Sequence, residues 1–176
     1  LGNGAAQVDL LERACALPIP LLLDADALNL LAQEGNLDVA VASRTAPTLL
    51  TPHPAEAARL LDRDVAAVQA DRIAAAGELA TQFNAYVALK PGGHWAINTT
   101  GNPGMGSAGM GDVLSGIVVA LLAQGWPAEA ALAAGVHLHG AAADALAADT
   151  GEIGLTAGET IAAARQLLNR WIAAND

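Results

Sequence analysis

Cysteine, aromatic residues and positive charge are all scarce in this sequence. Cys15 is the only cysteine among 176 residues, so the chain cannot form an internal disulfide, and this usage fits a reducing compartment. Only 8 basic residues stand against 18 acidic ones, which gives a formal net charge of −10. Because this charge repels the phosphates of nucleic acids and of anionic lipids, we expect neither a nucleic acid nor a membrane as a partner.

Long apolar runs are missing as well. The longest uninterrupted one, residues 117–123, is far shorter than the roughly 20 residues that a membrane-spanning helix requires. The opening residues do not have the pattern of a secretory signal. With the single cysteine, these absences lead us to expect a cytoplasmic protein. The sequence begins at Leu1 and not at methionine, so we also expect a processed or truncated product.

What the sequence does contain is alanine, glycine and short apolar runs. Alanine supplies much of the 53% hydrophobic content, which suits helices packed closely over a sheet, and the length is that of one domain. Apolar runs bounded by turn residues predict strands at 19–23, 47–50, 86–90 and 95–98. Periodic stretches predict helices at 28–32, 55–61, 65–83, 112–124, 127–148 and 159–173. This order predicts an α/β fold with helices on both faces of a sheet.

A glycine-rich loop at residues 100–111 is the most informative stretch. Glycines allow close backbone approach, and the unpaired amides at the start of the following helix form a natural anion site. A phosphate group would fit there. Asp112 lies at the same helix terminus, where its carboxylate could accept a proton. The alternative is that Asp112 only caps the helix after a flexible loop.

Three further polar clusters follow predicted strands. Lys90 precedes the turn 91–94, either as a nucleotide contact or as a solvated residue of a plain hairpin. His53 stands between two prolines, a rigid mounting for a ligand contact, although a lone histidine can be purely structural. Asp24, Asp26 and Asn29 lie where a strand meets a helix. Capping by Asp26 explains part of that cluster, and contact with a metal or a substrate is the alternative. Ligands of open α/β sheets sit at such strand ends.

Four motifs in register resemble the NAD(P)HX dehydratase family. They are residues 24–29 (Asp-Ala-Asp-Ala-Leu-Asn), 51–54 (Thr-Pro-His-Pro), 89–90 (Leu-Lys) and 101–116, with Leu-His-Gly at 138–140 in addition. The resemblance implies a ribokinase-like, three-layer α/β/α fold with a mostly parallel central sheet. Residues 1–176 would form a single domain. Because 1–2 resemble the tail of a glycine-rich turn inside that domain, the chain would be its C-terminal two thirds, without the N-terminal strands.

The resemblance also implies an activity. The family's reaction is the ADP- or ATP-dependent dehydration of (S)-NADHX and NADPHX back to NADH and NADPH, which makes the enzyme a hydro-lyase of cofactor repair. Mg²⁺ would accompany the nucleotide, no metal ligands are expected in the chain, and a homotetramer is expected. The resemblance also assigns residues by position, with Asp112 as the catalytic base. The substrate would contact Gly2, Asn29, His53 and Asp112, and Asp26 would be a neighbour of the site. The adenine nucleotide would be held by Lys90, Gly109 and Gly111.

The segment after Lys90 departs from the family pattern. A glycine-rich turn and a further strand usually follow this lysine. We expect that they are deleted between Lys90 and Pro91, or else that 91–94 form an altered nucleotide turn. Two other functions therefore stay open. One is a kinase of the same superfamily that acts on a sugar or vitamin alcohol, and the other is a nucleotide-binding module without catalysis.

Overall fold

The computed structural model describes residues 4–88 and 97–174. The chain divides into two compact units, Leu1–Ala96 and Ile97–Asp176. Among the described residues no helix is long and apolar enough to cross a membrane.

The first unit is built around a small parallel sheet. Its strands are β1 (Leu21–Leu23), β2 (Thr48–Leu50) and β3 (Tyr86–Val87), in the order β1-β2-β3. Leu23 pairs with Leu50 and Leu50 with Val87, so the carboxyl ends of the three strands lie at one edge. All of β2 is buried, as expected for the central strand of a sheet with covered faces.

Helix α1 (Ala5–Cys15) precedes the sheet, and further helices connect the strands, as parallel pairing requires. The connecting helices are α2 (Asp26–Gln33), α3 (Gly35–Ala42), α4 (Pro54–Leu60), α5 (Val65–Ala70) and α6 (Arg72–Gln82). Leucine is the most frequent residue in the core between helices and sheet, which also contains the fully buried ring of Phe83.

A buried arginine links the end of α1 to the amino ends of β1 and β2 by hydrogen bonds. Arg44 is only 8% exposed. Its Nε donates to Thr48 Oγ1 at 3.0 Å, its Nη2 to the Ile19 carbonyl at 2.6 Å, and its Nη1 to the carbonyls of Ala14 and Cys15. Burial raises the pKa of the Cys15 thiol, while the charge of Arg44 acts in the opposite direction.

The described residues of the second unit form helices and loops and include no strand. It contains α7 (Met110–Ala123), α8 (Ala128–Thr150) and α9 (Ala157–Ala173), preceded by a 3-10 turn at Pro103–Met105. Helices α7 and α8 approach closely at Gly135, where a Cβ would lie 2.6 Å from Cγ2 of Val118. Thr156 caps α9 together with Glu159, and the hydrogen bonds from Thr156 lower the pKa of the Glu159 carboxyl.

The parallel sheet and its helices agree with the predicted α/β class, but several element boundaries are corrected. The predicted helix 65–83 is two helices, because the side chain of Asp71 accepts a hydrogen bond from Ala74 N at 2.9 Å and starts a new helix. Ile97 and Asn98 are not in the strand predicted at 95–98, whose first half lies outside the described residues. Helices α1 and α3 are absent from the sequence-based prediction.

Candidate functional site

The carboxyl ends of β1 and β2 bring two of the predicted clusters to one edge of the sheet. Asp24 directly follows β1 and Thr51 directly follows β2, and Thr51 N donates to the carbonyl of Leu23 at 3.2 Å. Helix α2 begins at Asp26 and α4 at Pro54. Asn29 and His53 therefore belong to two helix starts that rise from neighbouring strands.

His53 is the N-cap of α4, and this role fixes its ring. Its Nδ1 accepts a hydrogen bond from Ala55 N at 3.1 Å, while its own backbone N–H donates to Glu56 Oε2 at 2.9 Å. Pro54 occupies the first helical position, which suits its fixed φ. Because Nδ1 is an acceptor, the neutral imidazole carries its proton on Nε2. The side chain is exposed and thus presents an N–H donor at the strand end.

The turn from β1 into α2 has an unusual backbone. Ala25 has φ 49° and ψ −114°, a conformation that non-glycine residues rarely adopt, and its N–H donates to Asp24 Oδ1 at 2.9 Å. Ala25, not Asp26, is the N-cap position, so the capping role considered for Asp26 is wrong. Strained turns of this kind concentrate at functional sites.

The start of α7 presents backbone amides and one carboxylate together. Gly109 is the N-cap in the left-handed region at φ 85°, followed by Met110, Gly111 and Asp112 in the first turn. The amides of that turn have no partner within the helix. Asp112 is exposed and occupies the third helical position, so the reading of Asp112 as the N-cap is also wrong. Anionic groups are stabilised at such a terminus.

Helix α8 anchors the chain that leads into this loop. Asp144 accepts hydrogen bonds on both oxygens, from Gly101 N at 2.8 Å and from Asn102 Nδ2 at 3.0 Å. Asn102 Oδ1 in turn accepts from Gly104 N at 3.0 Å. Sequence reasoning missed Asp144, because it lies 43 residues from Gly101 in the middle of an alanine-rich helix and no local pattern connects the two.

Two more contacts hold the same segment against α8. Thr100 Oγ1 donates to the carbonyl of His137 at 3.1 Å. At Gly140 an added Cβ would lie 2.3 Å from Thr100 Oγ1, so only glycine permits this approach. Met105 packs in a small cluster with Met110 and Ala143, which joins the anchored loop to the start of α7.

Two buried polar atoms of this unit have no hydrogen-bond partner among the described residues: Ser107 Oγ in the loop and His139 Nε2 on α8. Burial lowers the pKa of His139. The described residues contain no group of three or more histidine, cysteine or acidic side chains that could hold a metal ion.

The predicted site residues thus fall into three sets. Asp26, Asn29 and His53 belong to the first unit, and Gly109, Gly111 and Asp112 belong to the second. Gly2, Lys90 and the turn 91–94 lie outside the described residues.

The parallel sheet with its helices, and the glycine-rich loop before α7, are compared with known structures to assign a class of protein. A crystal structure of the ADP/ATP-dependent NAD(P)H-hydrate dehydratase from Bacillus subtilis, co-crystallised with ATP and Mg²⁺, matches with a TM-score of 0.82 and 27% identity, over 97% of this chain and 61% of that chain. This places the chain among α/β proteins of the carbohydrate kinase-like fold, which confirms the predicted fold class. The model of the NAD(P)H-hydrate dehydratase family matches residues 1–165, and the chain belongs to this family.

Curated relatives agree with this assignment. The ADP-dependent (S)-NAD(P)H-hydrate dehydratase of Neisseria meningitidis serogroup B is 48% identical over 160 residues, which are 86% of this chain and 54% of that protein. The bifunctional NAD(P)H-hydrate repair enzyme Nnr of Vibrio cholerae is 42% identical over 96% of this chain and 34% of its own length. The chain thus spans about half of the first relative and a third of the second.

Proposed function

We propose that this chain catalyses the ADP- or ATP-dependent dehydration of (S)-NADHX and NADPHX to NADH and NADPH. The observation that carries the proposal is the exposed carboxylate of Asp112 in the first turn of α7, beside backbone amides that no helical carbonyl satisfies. The relatives that share the fold act on NAD(P)H-hydrate with ADP or ATP.

Asp112 is the catalytic base of this proposal. It takes the proton of the substrate hydroxyl as that oxygen attacks the terminal phosphorus of the nucleotide, and the shortened nucleotide leaves. The phosphorylated intermediate then loses phosphate from one ring carbon and a proton from the neighbouring ring carbon. The electrons of the broken C–H bond form the ring double bond, and the proton passes to solvent. The amides before Asp112 stabilise the negative charge on the transferred group.

The remaining predicted residues bind the two reactants. By the family pattern, Gly2, Asn29, His53 and Asp112 each contact the hydrated nicotinamide substrate, and Asp26 is a neighbour of Asn29 on α2. His53 suits this role because Nε2–H is presented at the strand end by the cap of α4. The adenine nucleotide is held by Lys90, Gly109 and Gly111. Gly109 is the N-cap of α7, and the first amides of that helix would donate hydrogen bonds to a phosphate of the nucleotide.

Mg²⁺ is proposed to enter with the nucleotide. This ion usually keeps several waters and binds through substrate phosphates, so the nucleotide itself would hold it and no residue of the chain is assigned as its ligand. When bound it would neutralise phosphate charge. We further propose that the protein works in the cytoplasm as a homotetramer, and a monomeric mass by light scattering would contradict that assembly.

The test is recovery of dihydronicotinamide absorbance when NADHX is mixed with the chain and ADP. Asp112→Asn removes the base and should abolish recovery, whereas Asp149→Asn makes the same change at an exposed position of α8 and should leave it intact. ADP binding without recovery in the wild type would show a nucleotide site without the chemistry. A stable phosphorylated product would indicate a kinase instead.

A further inference from the structure

Three features of the described residues lie outside the assigned site: the cleft beside Arg44, the buried His139 and the anchor at Asp144. The donors of Arg44 are directed to protein acceptors of its own unit, so that cleft carries no ligand argument. His139 bears on stability, because burial lowers its pKa. The anchor at Asp144 is the one with a geometry that bears on catalysis.

We infer that Asp144 is a positioning residue, which sets the geometry of the glycine-rich loop for the reaction without touching the reactants. This inference rests on the proposed function. Both of its carboxylate oxygens accept hydrogen bonds from the loop, at 2.8 Å from Gly101 N and 3.0 Å from Asn102 Nδ2. A carboxylate that holds two donors in fixed positions orients them more firmly than a neutral acceptor would.

The anchored residues connect to the start of α7 by direct contacts. Asn102 Oδ1 accepts from Gly104 N at 3.0 Å, which begins the 3-10 turn of Pro103–Met105. Met105 then packs in the same cluster as Met110, the first residue of α7. A Cβ at Gly104 would lie 2.5 Å from the carbonyl oxygen of Glu152, so this turn has little room to shift. The position of the amides before Asp112 therefore depends on where Asp144 holds Gly101 and Asn102.

The order of donors and acceptors in this network explains why one carboxylate and one amide are needed. The backbone N–H groups of Gly101 and Gly104 are fixed donors at the two ends, so each of the two side chains between them must turn an oxygen outward. The two side-chain atoms that face each other, one from residue 102 and one from residue 144, must then be one donor and one acceptor. Two amides would place donor against donor, and two carboxylates would place like charges against each other. An acid and an amide satisfy the network in either order.

This symmetry gives a sharp experiment in four proteins: the wild type, Asp144→Asn, Asn102→Asp and the double variant that exchanges the two residues. Each single variant breaks the inner contact, whereas the double variant restores all three hydrogen bonds and keeps the net charge. We expect kcat to fall about 10- to 100-fold in each single variant with a much smaller change in the KM for ADP, since the loop acts mainly on the transition state. The double variant should recover most of that loss.

Amide hydrogen exchange supplies a readout that does not depend on turnover. The amides of Gly101 and Gly104 should exchange faster in the single variants and return toward the wild-type rate in the double variant. Asp149→Asn, an exposed change on the same helix, should alter neither kcat nor these amides.

Wild-type kcat in Asp144→Asn would overturn the inference, and so would a double variant as slow as the single ones. In both cases the wild-type chain still turns over, and the proposed function stands. A wild-type chain without ADP-dependent recovery would instead overturn the proposed function and this inference together.

Discussion

Arg59 Nη1 lies 2.6 Å from Asn29 Oδ1 and donates a hydrogen bond that joins α4 to α2 across 30 residues of sequence. The two helices start from neighbouring strands, so this bond fixes the spacing of the helix starts that carry Asn29 and His53. It also sets the orientation of the Asn29 amide, with Oδ1 toward Arg59. The amide NH₂ is then the donor that Asn29 can offer to a substrate.

Loss of this bond should weaken substrate binding more than it slows the chemistry. Arg59→Met keeps an apolar stem but removes the donor, and we expect the KM for NADHX to rise about 3- to 10-fold with kcat little changed. Steady-state kinetics at saturating ADP measures both constants. Arg72→Met, at an exposed position of α6, is the matched control. An unchanged KM would show that the orientation of Asn29 does not matter for binding.

Two helical glycines should respond to alanine in opposite directions. Gly140→Ala forces a Cβ to within 2.3 Å of Thr100 Oγ1 and 2.7 Å of the Thr100 carbonyl carbon, so we expect a loss of about 1–3 kcal/mol in the free energy of unfolding. Gly116 in α7 has no atom within 4 Å of such a Cβ, and Gly116→Ala should stabilise the chain by about 0.5–1 kcal/mol. Urea unfolding of the two variants measures both signs. Equal effects would contradict the close approach of the loop to α8.

Local patterns are sufficient to predict much of the fold and the elements on which the proposed site residues lie. The apolar runs that end at Leu23 and Leu50 predicted two of the strands, and the glycines before Asp112 predicted a helix start with free amides. Elements whose stability depends on packing against the rest of the fold are not predicted by local patterns. Helix α3 begins with Gly35 and contains β-branched valines, so burial of Leu37 and Val41, and not propensity, stabilises it.

Contacts between distant residues explain the rest of what was missed. The bond from Arg59 to Asn29 and the bonds from the loop to Asp144 join residues 30 and 42–43 positions apart. An isolated aspartate in an alanine-rich helix has no periodicity that would indicate such a contact. The residues assigned to substrate and nucleotide remain predictions, since the family pattern and not the geometry assigns them.

His139 predicts a pH dependence of stability. Burial lowers its pKa below the ordinary value of 6.5, so at mildly acidic pH the unfolded chain binds a proton that the folded chain does not. The contribution of this residue to stability is therefore present above that value and is lost as the pH falls through it. Wild-type chain should unfold at a lower urea concentration at about pH 5.5 than at about pH 7.5.

Substitution of His139 isolates this effect. His139→Phe fills a similar volume with a group that cannot be protonated, and it should reduce the shift of the urea midpoint between the two pH values. His137→Phe, two residues earlier on α8, changes an exposed ring that stacks on Trp171 at a centroid distance of 5.7 Å. The His137 variant should keep the wild-type shift. If both variants keep it, other groups cause the pH dependence.

The cap at His53 has a consequence for protein engineering. Its Nδ1 holds the first turn of α4, and the opposite side of the same ring is the proposed substrate contact. A library that varies position 53 in search of another substrate will also select for residues that can cap α4. Asparagine, aspartate, serine and threonine can replace the histidine as the cap, and most other residues cannot. A substitution that changes substrate specificity at this position would therefore also change the stability of the fold.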